Sequence, residues 1–195
     1  MVPKVSPEYR DERRAHILAA ARRCFARDGF HQTSMQDLVR EAGMSSGAVY
    51  RYFASKDAVI AAIAEENLDH VVSTVAESVR HGAGAGAALA SVLEYVGARH
   101  AEEEFGAIAL LVWSEALRNP ALAARLRESF DAAANALTRT GEAAAGERSA
   151  GIDPDVLADT LLCVLPGYLL QLTIRGPDAV KAIPDALRDL IPAKG

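Results

Sequence analysis

Residues 33–60, TSMQDLVREAGMSSGAVYRYFASKDAVI, constrain the fold more than any other stretch of the chain. Met35, Leu38, Val39 and Ala42 recur at i, i+3, i+4 and i+7, on one apolar face of a short helix. Thr33 or Ser34 can cap its start, with Gln36 or Asp37 three residues on. Gly43 falls where the chain must leave that helix and turn, a position that often needs φ above zero. Ser45 is a good N-cap for a second short helix, whose Val49 and Phe53 point inward. Ser46, Gly47, Ala48, Tyr50, Arg51 and Tyr52 are left on its N-terminal and outer surfaces. A helix this short, small in front and Tyr-Arg-Tyr behind, can enter a DNA major groove. The pattern predicts a helix-turn-helix over about residues 34–53.

Charge is distributed to match. The whole chain carries a net charge of −5, which by itself argues against nucleic acid. Residues 1–56, however, hold ten Lys/Arg against six Asp/Glu (+4), and residues 57–195 hold eleven against twenty (−9). Ordinary solvated charge could give such counts. The coincidence of the basic end with the helix-turn-helix points to a DNA-binding head on an acidic body.

The rest reads as helix throughout. Alanine supplies 39 of 195 residues, which favours an all-α fold. A first helix is expected from about Pro7 to Asp28, ended by Gly29. A long helix from Lys56 to about Arg80 should pack its first turns on the reader and its last turns in the body, burying Ile60, Ile63, Leu68, Val71, Val72, Val75 and Val79. A Gly/Ala loop spans residues 81–86, and helices follow at about 87–100, 104–118 and 120–146. The last of these opens at Asn119-Pro120. A loop near 146–151 precedes a strongly apolar helix over 153–174, which Pro166 should kink. A terminal piece over 177–191 is interrupted by Pro184 and can be two helical turns in sequence rather than one straight helix. About nine helices result, divided into a DNA-binding domain at 11–71 and a second domain at 72–195.

One ordered set of motifs carries a family resemblance. It comprises Phe25-Ala26-Arg27-Asp28-Gly29-Phe30, Thr33-Ser34, Ala42-Gly43-Met44-Ser45, Gly47-Ala48-Val49-Tyr50-Arg51-Tyr52-Phe53 and Ser55-Lys56-Asp57. Over about residues 13–68 the chain closely resembles the N-terminal domain of the TetR family of bacterial transcriptional regulators. The remainder resembles the family in being a helical domain of the expected length. The resemblance implies a homodimer on a palindromic operator, most simply a repressor. It also implies a body that encloses a small effector, and a four-helix bundle across the dimer axis built from the last two helices.

Contact roles can be assigned residue by residue. Lys56 should hold a phosphate. Tyr50 and Tyr52 offer hydroxyls to phosphates and ring edges to thymine methyls, and Gln36 can reach an adenine edge. Arg51 can bond guanine or the backbone, and both readings stay open. Gly47 and Ala48 permit close approach, while Ser46 can meet a base or a phosphate. Ser34 and Ser45 complete the candidate DNA-contact set. In the body, Tyr95, Arg99, Phe105, Trp113, Glu115, Phe130, Tyr168 and Gln171 are candidate effector contacts, although core filling is the simpler reading of any one of them. Leu161, Leu165, Leu169 and Leu172 are candidate dimer contacts. Their helix is apolar nearly all round, so it either fills the core or buries one side in a partner.

Other classes find little support. Nucleophile elbow, P-loop and metal-ligand spacings are lacking, which disfavours an enzyme; neither cofactor nor metal is expected. The GxGxG at residues 82–86 follows no strand, and His100 before Glu102, Glu103 and Glu104 reads as a solvated loop. A purely protein-binding helical module would leave Tyr50, Arg51 and Lys56 unexplained. Residues 1–30 are charged and lack the apolar core of a secretory signal. The longest uncharged stretch, residues 160–174, falls short of the roughly 20 residues of a spanning helix. A cytoplasmic protein without membrane contact is expected. Cys24 and Cys163 stand apart and are both expected to be buried small hydrophobes.

Overall fold

The structure, a computed structural model, describes residues 6–135 and 154–190 except 82, 84, 104, 129 and 132–134. Helices make up most of the described residues, and no strand occurs among them. They are α1 (Pro7–Gln32), α2 (Met35–Glu41), α3 (Ser46–Tyr52), α4 (Lys56–Arg80), α5 (Ala85–Glu103) and α6 (Phe105–Ala116). A seventh, α7, is helical over residues 120–128, followed by α8 (Pro154–Arg175) and α9 (Ile183–Leu190). The chain divides into two compact units, residues 1–63 and 64–195.

In the first unit, local chemistry fixes each helix end. Ser6 caps α1 by accepting from the Tyr9 amide, and Pro7 sits in the first turn, where a missing N–H costs nothing. The helical path breaks at Gly29, with φ +73°, and the chain turns before Thr33. Ser34 and Asp37 form a full capping box at α2. Gly43 takes φ +62° after α2, and Ser45 accepts from the Ala48 amide to open α3. Ile17, Leu18, Cys24, Phe25, Leu38 and Val49 are fully buried together with the first turns of α4, including Val59, Ile60 and Ile63.

In the second unit, α5 packs against α6, α8 and α9, and α6 against α8. The core cluster joins Val71 and Val75 of α4 to Leu89, Leu93, Phe105 and Leu169. Close approach of α8 depends on Gly106. A Cβ there would lie 2.7 Å from Thr173 Oγ1 and 3.1 Å from His100 Nδ1. Ion pairs dress the surface, as between Arg188 and Glu94 at 2.7 Å and between Arg125 and Glu65 at 2.8 Å.

Several expectations need correction. The unit boundary falls at Ile63/Ala64, not 71/72, because Leu68 and Val71 face the second unit's interior. Val72 is only half-buried, and the Val79 side chain lies outside the described ones. Ala85 and Gly86 belong to α5 rather than to the loop before it. The terminal piece is two helical pieces in sequence, a 3-10 turn at Pro177–Ala179 and α9, but Pro184 sits in the first turn of α9, where its fixed φ suits, rather than at the break. The helix expected over 120–146 lies largely outside the described residues, as do the loop near 146–151 and Glu104. Cys24 is buried, but Cys163 is exposed.

The largest revision concerns α8. Leu165, Leu169 and Leu172 are 4%, 0% and 2% exposed, so they fill the second unit's own core instead of offering a free face. Among the described side chains, the large apolar groups that α8 presents outward are Val156, Leu170 and Ile174, the last 72% exposed. The Leu161 side chain lies outside the described ones.

Candidate nucleic-acid interface and effector cavity

Two short helices and the turn between them display several polar groups of the first unit. Gln36 of α2 and Ser46, Gly47, Tyr50 and Arg51 of α3 are exposed, while Ala48 and Tyr52 are half-buried. The inward face of α3 is anchored by Val49 and Phe53, and the Arg14 guanidinium lies 5.6 Å from the centre of the Phe53 ring. α3 thus has one face fixed in the unit and one open to solvent.

Two of the serines expected to meet DNA are already engaged. Ser34 Oγ donates to Asp37 Oδ2 at 2.6 Å and accepts from the Asp37 amide, and Ser45 Oγ accepts from the Ala48 amide at 3.3 Å. Both remain exposed, but their first role is to hold helix starts.

Lys56 differs more from expectation. Its ammonium turns inward and donates to the main-chain carbonyls of Phe30 and of Thr33, the latter at 3.0 Å. A lysine has three donors, so one is left for another acceptor.

Polar contacts between α1 and α2 complete the unit. Arg23 donates to Glu41 at 2.8 Å and Arg27 approaches the same carboxylate at 3.4 Å. The Arg23 hydrogen bond, with help from Arg27, holds the Glu41 carboxyl below the usual carboxylate range. The Ser34 hydroxyl and amide do the same for Asp37. His16 bonds the Ala42 carbonyl at 2.8 Å, and Thr33 donates to the Gly29 carbonyl at 2.7 Å.

The second unit contains a small, mainly apolar cavity of about 30 Å³. Residues from α4, α6, α7 and α8 line it. Of the candidate effector contacts, Phe105 and Trp113 line it, with Asn67, Val112, Leu165 and Leu169 among the others. The remaining effector candidates are elsewhere. Gln171 is exposed on α8 and accepts from Arg175. Tyr95 accepts from Arg99 at 3.0 Å, and Tyr168 is buried in the core. Glu115 and Phe130 are half-buried and do not line this cavity. No group of three or more His, Cys, Asp or Glu able to hold a metal occurs among the described residues.

Known proteins match both units. Residues 17–63 fit the family of bacterial regulatory proteins of the tetR type, and residues 86–193 fit the C-terminal domain of BetI-type transcriptional repressors. The chain is 31% identical over 162 residues to the HTH-type transcriptional regulator UidR of Escherichia coli, covering 82% of this chain and 77% of UidR. The chain belongs to the TetR family of bacterial transcriptional regulators.

A second relative is the uncharacterised HTH-type transcriptional regulator YfiR of Bacillus subtilis, 43% identical over 81 residues. That match covers 42% of this chain and 40% of YfiR, so the chain spans about two fifths of that relative. Among solved structures, GusR of Salmonella enterica superposes with a TM-score of 0.70 at 27% identity, covering 96% of this chain and 98% of GusR. The fold is also that of FadR from Bacillus subtilis in complex with stearoyl-CoA, with a TM-score of 0.69 at 18% identity over 93% of this chain and 99% of FadR.

Within this TetR-family chain, sequence reading missed Asn67. It is 7% exposed, and its Oδ1 is buried without a hydrogen-bond partner among the described residues. A signal was present: an asparagine at i+7 from Ile60 and i+4 from Ile63 lies on the apolar stripe of α4. Reading missed the α1–α2 bridge of Arg23, Arg27 and Glu41 too, because it joins residues 14 to 18 positions apart on different helices.

Proposed function

We propose that the protein is a dimeric repressor that reads a palindromic operator with α3, and that a small, largely apolar effector in the second unit releases it. The observation that carries the reading is the outward face of α2 and α3, where Gln36, Ser46, Tyr50 and Arg51 stand exposed on a helix pair capped at both starts. Small residues at Gly47 and Ala48 allow α3 to approach base edges closely. Tyr50 and Tyr52 suit phosphates and thymine methyls. The free donor of Lys56 suits one phosphate beside its two carbonyl bonds.

Dimerisation is supported by the outward apolar groups Val156, Leu170 and Ile174 on α8, which a partner copy would cover. Two reader helices would then sit about 34 Å apart on one face of the duplex. Repression is supported by the match of residues 86–193 to a repressor C-terminal domain. An effector is supported by the cavity and by the ligand-bound FadR of the same fold. Helix α4 carries Lys56 in one unit and cavity residues in the other, so an effector that prefers one setting of α4 would shift the operator equilibrium.

Mobility shift on DNA from upstream of the protein's own gene tests the reading. Expected are sequence-selective, salt-sensitive binding with two protomers per site, and its release by a compound that occupies the second unit. Absence of selective binding would defeat the regulator reading. Selective binding that resists every such compound would leave an effector-independent regulator.

A further inference from the structure

We propose that the cavity of the second unit is a subsite for a small uncharged molecule bearing one hydrogen-bond donor, a hydroxyl above all, which Asn67 Oδ1 accepts. The inference rests on the reading that this unit takes an effector, and it names the chemistry of that effector.

Asn67 is the observation that carries it. The side chain is 7% exposed, lines the cavity, and leaves its Oδ1 buried with no hydrogen bond from any of the described residues. A buried amide oxygen without a partner destabilises the fold, and a leucine of similar volume would avoid that cost. Its neighbours in the lining are Leu68, Val71, Val112, Leu165 and Leu169, so the side chain that carries this oxygen borders an apolar chamber, and a small turn of the amide would bring the oxygen to an occupant.

Three features of the lining set the ligand class. The orphan atom is an acceptor, so the ligand must donate. Among the described residues the lining holds no Asp, Glu, Lys, Arg or His, so a charged ligand would be desolvated there without a counter-charge from them. Apart from Asn67, the lining side chains offer one polar atom, the indole N–H of Trp113. About 30 Å³ could admit a water, but a buried water usually needs two to four polar partners and would find few here. A molecule with one donor and an otherwise apolar body matches the lining better. An organic occupant must push lining side chains apart, and Trp113, the one tryptophan of the chain, stands among them.

Cyclohexanol and cyclohexanone test this directly, because they share a ring and only the alcohol can donate. Calorimetry on the full chain without DNA should give cyclohexanol a Kd at least about tenfold lower than cyclohexanone, the scale of one hydrogen bond. In Asn67→Leu the two Kd values should converge, while the ligand-free variant melts no lower than the parent because the unpaired oxygen is gone. If Asn67→Leu does not fold, Asn67→Ala must show the same convergence. Equal affinities in the parent, no binding of either probe at millimolar concentration, or a preference that survives both substitutions would overturn the proposal. Operator binding is measured separately: alcohol selectivity without operator release counts against the switch alone, and operator release by non-donors without selectivity counts against the subsite alone.

Discussion

Lys56 Nζ donates to the main-chain carbonyl of Thr33 at 3.0 Å, across 23 residues of sequence, and bonds the Phe30 carbonyl as well. The first residue of α4 thereby satisfies two carbonyls where the chain leaves α1 and enters α2. Hydrogen bonds to a charged group contribute roughly 1.5–3 kcal/mol when buried, less here because Lys56 is half-exposed. Lys56→Met should therefore lower the melting temperature of the reader even without DNA. A phosphate contact is a separate quantity. If the third donor also grips DNA, the salt slope of operator binding falls by about one unit in the variant. An unchanged slope with a lowered melting temperature would confine Lys56 to the internal clamp.

Arg51 is exposed on the last turn of α3, so its role depends on what it meets in the groove. A guanine contact predicts that Arg51→Ala loses about 1–3 kcal/mol on the operator and much less on random DNA. Equal losses on both sequences, read by competition binding at fixed salt, would assign Arg51 to the phosphate backbone.

Local features of the reader were legible in the sequence because they depend on neighbours three or four residues away. Ser34, Gly43 and Ser45 take the expected cap and turn positions, since caps and positive φ are decided by the next few residues. The Lys56 clamp was not legible, because no local rule says which carbonyls a fold will bring to an ammonium. Orientation of α8 was hidden for another reason. Its apolar residues run nearly all round, so periodicity could not tell Leu165 and Leu169, which are buried, from Leu170 and Ile174, which are not. The same ambiguity made Cys163 look internal. Aromatic content was equally undecided: Phe105 and Trp113 reach the cavity, whereas Tyr168 fills the core.

Low pH should loosen the first unit. The Ser34 bonds hold the Asp37 carboxyl below its ordinary range, and the Arg23 bond does so for Glu41. A depressed folded-state value means that both contributions are present above the ordinary carboxylate range, about 4, and fade as pH falls through the lower folded values. Circular dichroism melts should accordingly lose stability as pH drops below about 4. Asp37→Asn, which keeps the shape but not the charge, should flatten part of that loss. Both carboxylates are solvent-facing, so the effect should be modest and should shrink at high salt.

The two faces of α8 make opposite predictions on substitution. Leu169 is fully buried, and a glutamate there places an unpaired charge in the core of the second unit. Leu169→Glu should therefore cost several kcal/mol and unfold that unit rather than merely separate protomers. Ile174 is 72% exposed and Leu170 is 45% exposed, so neither contributes much to the fold of a single chain. If a second copy covers them, Ile174→Glu and Leu170→Glu should yield a folded monomer with unchanged helicity. Sedimentation velocity at micromolar concentration separates these outcomes. Cys163 adds a covalent check, being the exposed cysteine on the same helix. Mild oxidation should cross-link the parent between copies only if two α8 helices lie close enough for the disulfide geometry. A parent that sediments as a monomer, or an Ile174→Glu Leu170→Glu double variant that stays dimeric, would show that this outward face is not where two copies meet.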